Sequence, residues 1–145
     1  MTSRNALSML AGSMAATLTL GTAAHAQPTT LGHNSETEVA GVPVACTGVG
    51  QSRHDPRWAA YPVRIDFATP KGHLLADVML SLSRADGTAM LEVECVGSQV
   101  LFKLPPGNYR VEGRLKKSPQ VKPQTATFSP PAKGQQVTVL RFPDA

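Results

Sequence analysis

A turn rich in proline and glycine constrains the fold of this chain more than any other feature. Pro105, Pro106 and Gly107 form its centre. Apolar and polar residues alternate over residues 100–104 before the turn and again from Tyr109 after it. Proline fixes φ near about −65°, and Gly or Asn takes the positive φ that a reversing chain needs. The sequence therefore predicts two extended strands joined by a tight connection.

Period-two alternation continues through most of the chain after residue 60. In the first such segment, Val63, Ile65 and Phe67 alternate with polar residues, as in a strand with one buried face. Asp86-Gly87 is typical of a tight hairpin between two further strands. No long stretch after residue 26 has a helical period. The pattern predicts an all-β sandwich of about seven strands.

The N-terminal 26 residues have the organisation of a secretory signal peptide. Arg4 supplies a positive charge, residues 6–20 are mildly apolar, and Ala24 and Ala26 are the small residues of a cleavage site. Cleavage after Ala26 is favoured over cleavage after Ala24. The apolar run is too interrupted for a membrane anchor. We expect a periplasmic or secreted protein with no stable membrane insertion after signal cleavage.

The rest of the chain is long enough for one domain with one core. Residues 27–44 are predicted to form a flexible polar leader and a short first strand. Residues 45–145 are predicted to form the sandwich itself.

Two cysteines, Cys46 and Cys95, lie in the predicted mature chain. In an oxidising compartment an even pair favours a disulfide, which would close a long loop. Two buried thiols or two soft metal ligands are the alternatives. The pair has no Cys-x-x-Cys spacing, which excludes a zinc ribbon or a thioredoxin-like motif.

Charge is uneven along the chain. Residues 27–95 contain 5 Lys/Arg against 8 Asp/Glu, and residues 96–145 contain 8 against 2. Such a basic half would fit an envelope protein or an anionic glycan as its partner. A solvated strand face with a Lys-rich loop is the favoured interpretation. Nucleic acid is not expected for an exported protein with few aromatic residues.

Histidines are the main candidates for chemistry. His33 and Glu36 have the His-x-x-Glu spacing of some zinc peptidases, but they lie in the polar leader. His25 would become the N-terminal residue after cleavage behind Ala24, and an N-terminal amine with an imidazole chelates copper.

His54 and His73 are isolated in sequence. With Asp55 or Asp66 nearby, they could bind copper or zinc only if the fold brings them together.

The segment Leu-Pro-Pro-Gly-Asn-Tyr-Arg-Val at residues 104–111 resembles the hallmark of carboxypeptidase regulatory-like domains. Residues 75–78 and the Ala-Asp-Gly at residues 85–87 match the same pattern in the same order. Residues 46–58 are similar to the front piece of small exported bacterial proteins of this kind. The resemblance implies a seven-stranded antiparallel Greek-key sandwich of the transthyretin-like class. Such domains serve many proteins as accessory modules without a cofactor.

Tyr109 is the residue of this motif with a physical role. Its ring can enter the core while its hydroxyl reaches a backbone group and fixes the turn.

The sequence therefore favours a non-catalytic accessory or binding module of the cell envelope. Residues 51–60 and 116–123 are the loops expected to meet the partner. A periplasmic copper- or zinc-binding protein is the alternative.

An enzyme on a transthyretin-like fold is less favoured. The chain has no Gly-x-Ser-x-Gly, and it lacks the Tyr-Arg-Gly-Ser C-terminus of the related hydroxyisourate hydrolases. Only Arg53, His54, Arg57 and Trp58 form a cluster that could serve catalysis.

Overall fold

The computed structural model describes residues 27–143 and 145. This part of the chain forms ten strands and two short 3₁₀ helices, η1 (Gly50–His54) and η2 (Pro56–Ala60). The strands are β1 (Thr29–Leu31), β2 (Ser35–Val39), β3 (Val42–Thr47), β4 (Val63–Ala68), β5 (Val78–Arg84), β6 (Ala89–Cys95), β7 (Gln99–Phe102), β8 (Tyr109–Leu115), β9 (Gln124–Phe128) and β10 (Gln136–Arg141). The predicted signal peptide, including His25 and both candidate cleavage sites, lies outside the described residues.

Two five-stranded sheets pack face to face. The first sheet has the order β1-β6-β5-β8-β9, and the second sheet has the order β10-β4-β7-β3-β2. The predicted all-β sandwich is confirmed. The predicted number of seven strands is wrong, because the described residues form ten. The sheets are also not wholly antiparallel, since β1 pairs with β6 and β10 with β4 in parallel.

Residues 27–40 do not form the flexible leader that the sequence predicted. Leu31 of β1 pairs with Cys95, and Glu36 of β2 pairs with Ala45. Both strands lie at sheet edges, where most of their side chains face solvent. An edge strand needs few apolar residues, so its polar sequence does not distinguish it from an unstructured segment.

The core lies between the inward faces of the two sheets. Val63, Ile65 and Phe67 of β4 are fully buried there, as their alternation predicts. Gly113 of β8 gives room to this packing, because a Cβ at that position would lie 2.6 Å from both Leu140 Cδ1 and Phe67 Cε1. The burial of these side chains is the main favourable contribution to folding.

A disulfide joins the two sheets through the core. Cys46 of β3 in the second sheet and Cys95 of β6 in the first have their Cα atoms 5.5 Å apart and their sulfurs 2.07 Å apart. Both residues are buried. The predicted disulfide is confirmed, and the alternatives of free thiols or metal ligands no longer apply.

The proline–glycine turn carries the chain from one sheet to the other. It follows β7 of the second sheet and precedes β8 of the first. Tyr109 is buried, and its ring stacks on Phe128 at a centroid distance of 5.8 Å. Its hydroxyl donates to the carbonyl oxygen of Pro105 at 2.9 Å. The turn is therefore tied to the core on the side of the first sheet.

Candidate functional site

The outer face of the second sheet carries a group of polar side chains on its central strands. Arg64 and Asp66 alternate with the inward apolar residues of β4, so both point away from the core. Gln99, the first residue of β7, pairs with Asp66 across the antiparallel ladder. Asp66 and Gln99 are only 7% and 5% exposed. Polar groups on an outer face are normally solvated, so a covering element must bury them.

The two 3₁₀ helices provide part of this cover. Pro56 begins η2, and the Asp55 carboxylate accepts from the Arg57 backbone N–H at 2.9 Å, which caps the helix. Trp58 is buried on the outer face of the sheet, in a small apolar cluster with Ala45, Tyr61 and Leu101. Its indole Nε1–H donates to the Ser52 carbonyl oxygen at 2.8 Å. This contact fastens η1 to η2.

A surface cavity of about 310 Å³, widely open to solvent, lies beside this cluster and is the candidate site. The residues that line it are Arg53, His54, Arg64, Asp66, Gly72, Leu74 and Gln99. Two of them come from η1, three from the central strands and two from the loop between β4 and β5. That loop is folded back on itself, since the Thr69 N–H donates to the His73 carbonyl at 2.8 Å. Backbone contacts therefore hold the cavity wall in place.

Arg64 and Asp66 form a two-point ion pair at the base of the cavity. Arg64 Nε lies 2.9 Å from Asp66 Oδ1, and a terminal nitrogen lies 3.1 Å from Oδ2. Burial raises the pKa of Asp66 above its ordinary value. The charge of Arg64 and a hydrogen bond from Gln99 lower it, but the effect of burial is larger.

Gln99 has an unsatisfied acceptor. Its amide donates to Asp66, whereas Oε1 is buried and has no hydrogen-bond partner among residues 27–143 and 145. A buried acceptor without a partner is costly. Gln99 therefore places an unsatisfied acceptor beneath the floor of the cavity.

Arg53 and His54 form the outer rim. Arg53 Nε donates to His54 Nε2 at 2.9 Å, so His54 carries its proton on Nδ1 when it is neutral. Arg53 makes its side-chain hydrogen bond through Nε, so its terminal nitrogens have no protein acceptor in the described part of the chain. The rim thus presents free N–H donors to solvent.

No protein-family model matches the chain, and no curated protein is similar to it. The resemblance to carboxypeptidase regulatory-like domains accordingly remains a proposal. In the stretch that the structure describes, no helix is long and apolar enough to cross a membrane.

The structure divides the cluster that the sequence suggested for an enzyme. Arg53 and His54 line the cavity. Arg57 instead stacks over the Trp58 ring at 4.1 Å and pairs with Asp55 at 3.4 Å. Trp58 is an apolar anchor of η2, and it does not line the cavity.

The candidate metal ligands are not brought together. His54 and Asp66 share the cavity, but His73 is not among its lining residues, although both of its neighbours are. Within residues 27–143 and 145, no group of three His, Cys, Asp or Glu side chains is placed to hold a metal ion. His25 lies outside this range.

Three of the eight basic residues in residues 96–145 pair with neighbouring carboxylates on or beside the first sheet. Arg114 pairs with Glu112, Lys116 with Glu94 and Lys117 with Asp77. This pairing favours the interpretation of a solvated strand face.

The two loops expected to meet one partner do not form one site. Residues 51–60 contribute to the cavity described above, whereas Pro119, Val121 and Pro123 line a different one, and Val121 is buried in the core.

Proposed function

We propose that this protein is a non-catalytic binding module exported to the cell envelope, built on a carboxypeptidase regulatory-like sandwich. A disulfide across the core supports folding in an oxidising compartment. The path of the chain supports a Greek-key topology, because β8 returns beside β5 after β7 has passed through the opposite sheet. The contact of Tyr109 with Pro105 supports the regulatory-like motif.

The observation that carries the proposed function is the polar cavity on the second sheet. Its base is built on two central strands, and η1 and a folded loop form its walls. Sites on a rigid scaffold bind ligands without a large ordering cost. A binding role follows from a cavity of this kind with unsatisfied polar groups.

The contacts among the lining residues favour binding over catalysis. The Asp66 carboxylate accepts from two nitrogens of Arg64, and the Nε2 atom of His54 accepts from Arg53. A general base must present a free lone pair to its substrate. The charge of Arg64 lowers the basicity of the lone pairs that the Asp66 carboxylate keeps, and the lone pair of His54 Nε2 accepts from Arg53. The lining set offers no hydroxyl or thiol nucleophile.

Nuclear magnetic resonance tests this function on the isotope-labelled protein, expressed with its predicted signal peptide and purified from the periplasm. We expect a library of envelope saccharides, amino acids and short peptides to contain a compound that shifts the amide signals of Arg64, Asp66 and Gln99. Thr125, on the outer face of the first sheet, serves as the internal control. The proposal is wrong if no compound shifts the cavity signals at millimolar concentration. It is also wrong if a bound compound is chemically converted and His54→Ala abolishes that conversion.

A further inference from the structure

Two arginines present unused donors to the same cavity. Arg64 uses Nε and one terminal nitrogen for Asp66, which leaves its second terminal nitrogen free. Arg53 uses only Nε, for His54. Among the described residues, no acceptor satisfies the remaining N–H groups on either guanidinium. Planar guanidinium donors match the two oxygens of a carboxylate.

The balance of charge in the cavity favours a carboxylate group on the ligand. Two guanidinium groups line the cavity beside one carboxylate. One net positive charge remains after the Arg64–Asp66 pair, and it belongs to Arg53, which is exposed at the rim. Arg64 lies deeper, so water screens its attraction for an anion less.

The base of the cavity also contains an acceptor that lacks a donor. Gln99 Oε1 accepts nothing within the described chain, and it lies beside the ion pair that holds Arg64. Oε1 is covered, so a ligand donor can reach it only if the terminal amide turns toward the cavity and gives up its hydrogen bond to Asp66. A ligand that carries only a carboxylate would leave this acceptor unsatisfied.

We propose that the cavity binds a small organic acid in which a hydroxyl or ammonium group neighbours the carboxylate. This inference rests on the proposed binding function and names its ligand class. The carboxylate takes the free N–H groups of Arg53 and Arg64, and the neighbouring donor satisfies Gln99 Oε1. The cavity volume of about 310 Å³ leaves room for a small organic acid. Amino acids, and uronic acids, whose nearest hydroxyl lies one carbon further from the carboxylate, are two envelope sources of this chemistry.

Three acids with the same carbon skeleton provide the sharpest probes. Lactate carries a hydroxyl next to its carboxylate, alanine carries an ammonium group there, and propionate carries neither. We expect lactate or alanine to bind at least about tenfold more tightly than propionate in calorimetric titration. Glucuronate against glucose then tests a sugar acid as the source. If glucuronate binds more tightly than alanine, the source is a sugar acid. If alanine binds more tightly, the source is an amino acid.

Two variants locate the binding. Arg53→Gln should weaken binding of the preferred acid by about tenfold, since one charged donor is lost. Gln99→Leu should reduce the preference over propionate to about one, because the acceptor is gone. Arg110→Gln removes an equal charge from an exposed strand position on the first sheet, and it should leave binding unchanged. Arg53 is exposed, so its replacement leaves the fold intact.

Three results would overturn the proposed ligand class. These are propionate binding as tightly as lactate and alanine, binding that Arg53→Gln does not weaken, and no binding of any acid at millimolar concentration. If none of the acids binds but another library compound shifts the signals of Arg64, Asp66 and Gln99, the ligand class is wrong and the binding function stands. If nothing shifts those signals, both proposals fail.

Discussion

The hydroxyl of Tyr109 donates to the carbonyl oxygen of Pro105, 2.9 Å away, across the turn that carries the chain between the two sheets. A buried hydroxyl and a carbonyl in this arrangement satisfy each other. Tyr109→Phe keeps the ring and removes only this bond. We expect it to lower the free energy of unfolding by about 1 kcal/mol in urea denaturation.

Tyr109→Ala separates the bond from the packing of the ring. Because the ring is buried against Phe128, its removal should cost about 3–5 kcal/mol. Equal stability of Tyr109→Phe and the wild type would show that the hydroxyl does not fix the turn.

The disulfide should contribute much of the stability of this small domain. Cys46 and Cys95 are 49 residues apart in sequence, and closing a loop of that length stabilises by about 4 kcal/mol in the chain-entropy model. The double variant Cys46→Ala/Cys95→Ala should lose free energy of unfolding of that order, measured by thermal or urea unfolding. An unchanged midpoint would show that the two sheets hold together without the bond.

Local patterns predicted a large part of this fold. Alternation gave the buried face of β4 and the outward position of Arg64, and the Asp-Gly pair marked the connection that joins β5 to β6. These features depend on a few neighbouring residues, so the sequence carries them directly. The disulfide was inferred from compartment and parity, and the structure confirmed it.

The candidate site depended on contacts that the sequence does not display. Asp66 and Gln99 meet only because β4 and β7 pair, although 33 positions separate them in the chain. Polar residues on the outer face of a strand normally indicate solvent exposure. Asp66 and Gln99 are buried because η1 and the loop after β4 fold over the sheet. Trp58, an apolar residue in a polar segment, is the sequence feature that is consistent with such a cover.

The ionisation of Asp66 should report the burial of the candidate site. Its pKa is raised by burial, against the lowering effect of Arg64. Carboxyl resonances should show Asp66 titrating above Asp86, whose pKa is lowered by the Thr88 backbone N–H. Arg64→Gln should raise the pKa of Asp66 further, because it removes a positive charge. A lower pKa of Asp66 in that variant would contradict the described ion pair.

The same shift sets the sign of a stability change with pH. A carboxyl whose folded-state pKa is raised binds its proton more tightly in the folded state. The contribution of Asp66 to stability is therefore full at acid pH and declines as pH rises through its raised pKa. Asp66→Asn should lack this decline. The difference in unfolding free energy between the wild type and this variant should therefore change with pH over the same range. A decline of the same size in both proteins would assign it to other groups.

Alkaline pH should weaken the contact between the 3₁₀ helices and the second sheet through Tyr61. Its hydroxyl donates to Glu36 Oε1 at 2.9 Å. Burial, together with the hydrogen bond and charge of Glu36, raises the pKa of Tyr61 from 10.0 to about 12. The folded state therefore favours the neutral phenol, so its stabilising effect is full below pH 10.0 and is lost as pH rises toward about 12. Ultraviolet difference absorbance should detect the late ionisation of Tyr61.

Replacing each partner of this bond separates its two consequences. Tyr61→Phe should remove the late-ionising signal and flatten the alkaline loss of unfolding free energy. Glu36→Gln should keep the tyrosine but lower its pKa, because the negative charge that opposes ionisation is gone. Lys103, whose ammonium lies 4.7 Å from the centre of the Tyr61 ring, is present in both variants and controls for that contact. An unchanged pKa of Tyr61 in Glu36→Gln would show that burial alone holds the phenol neutral.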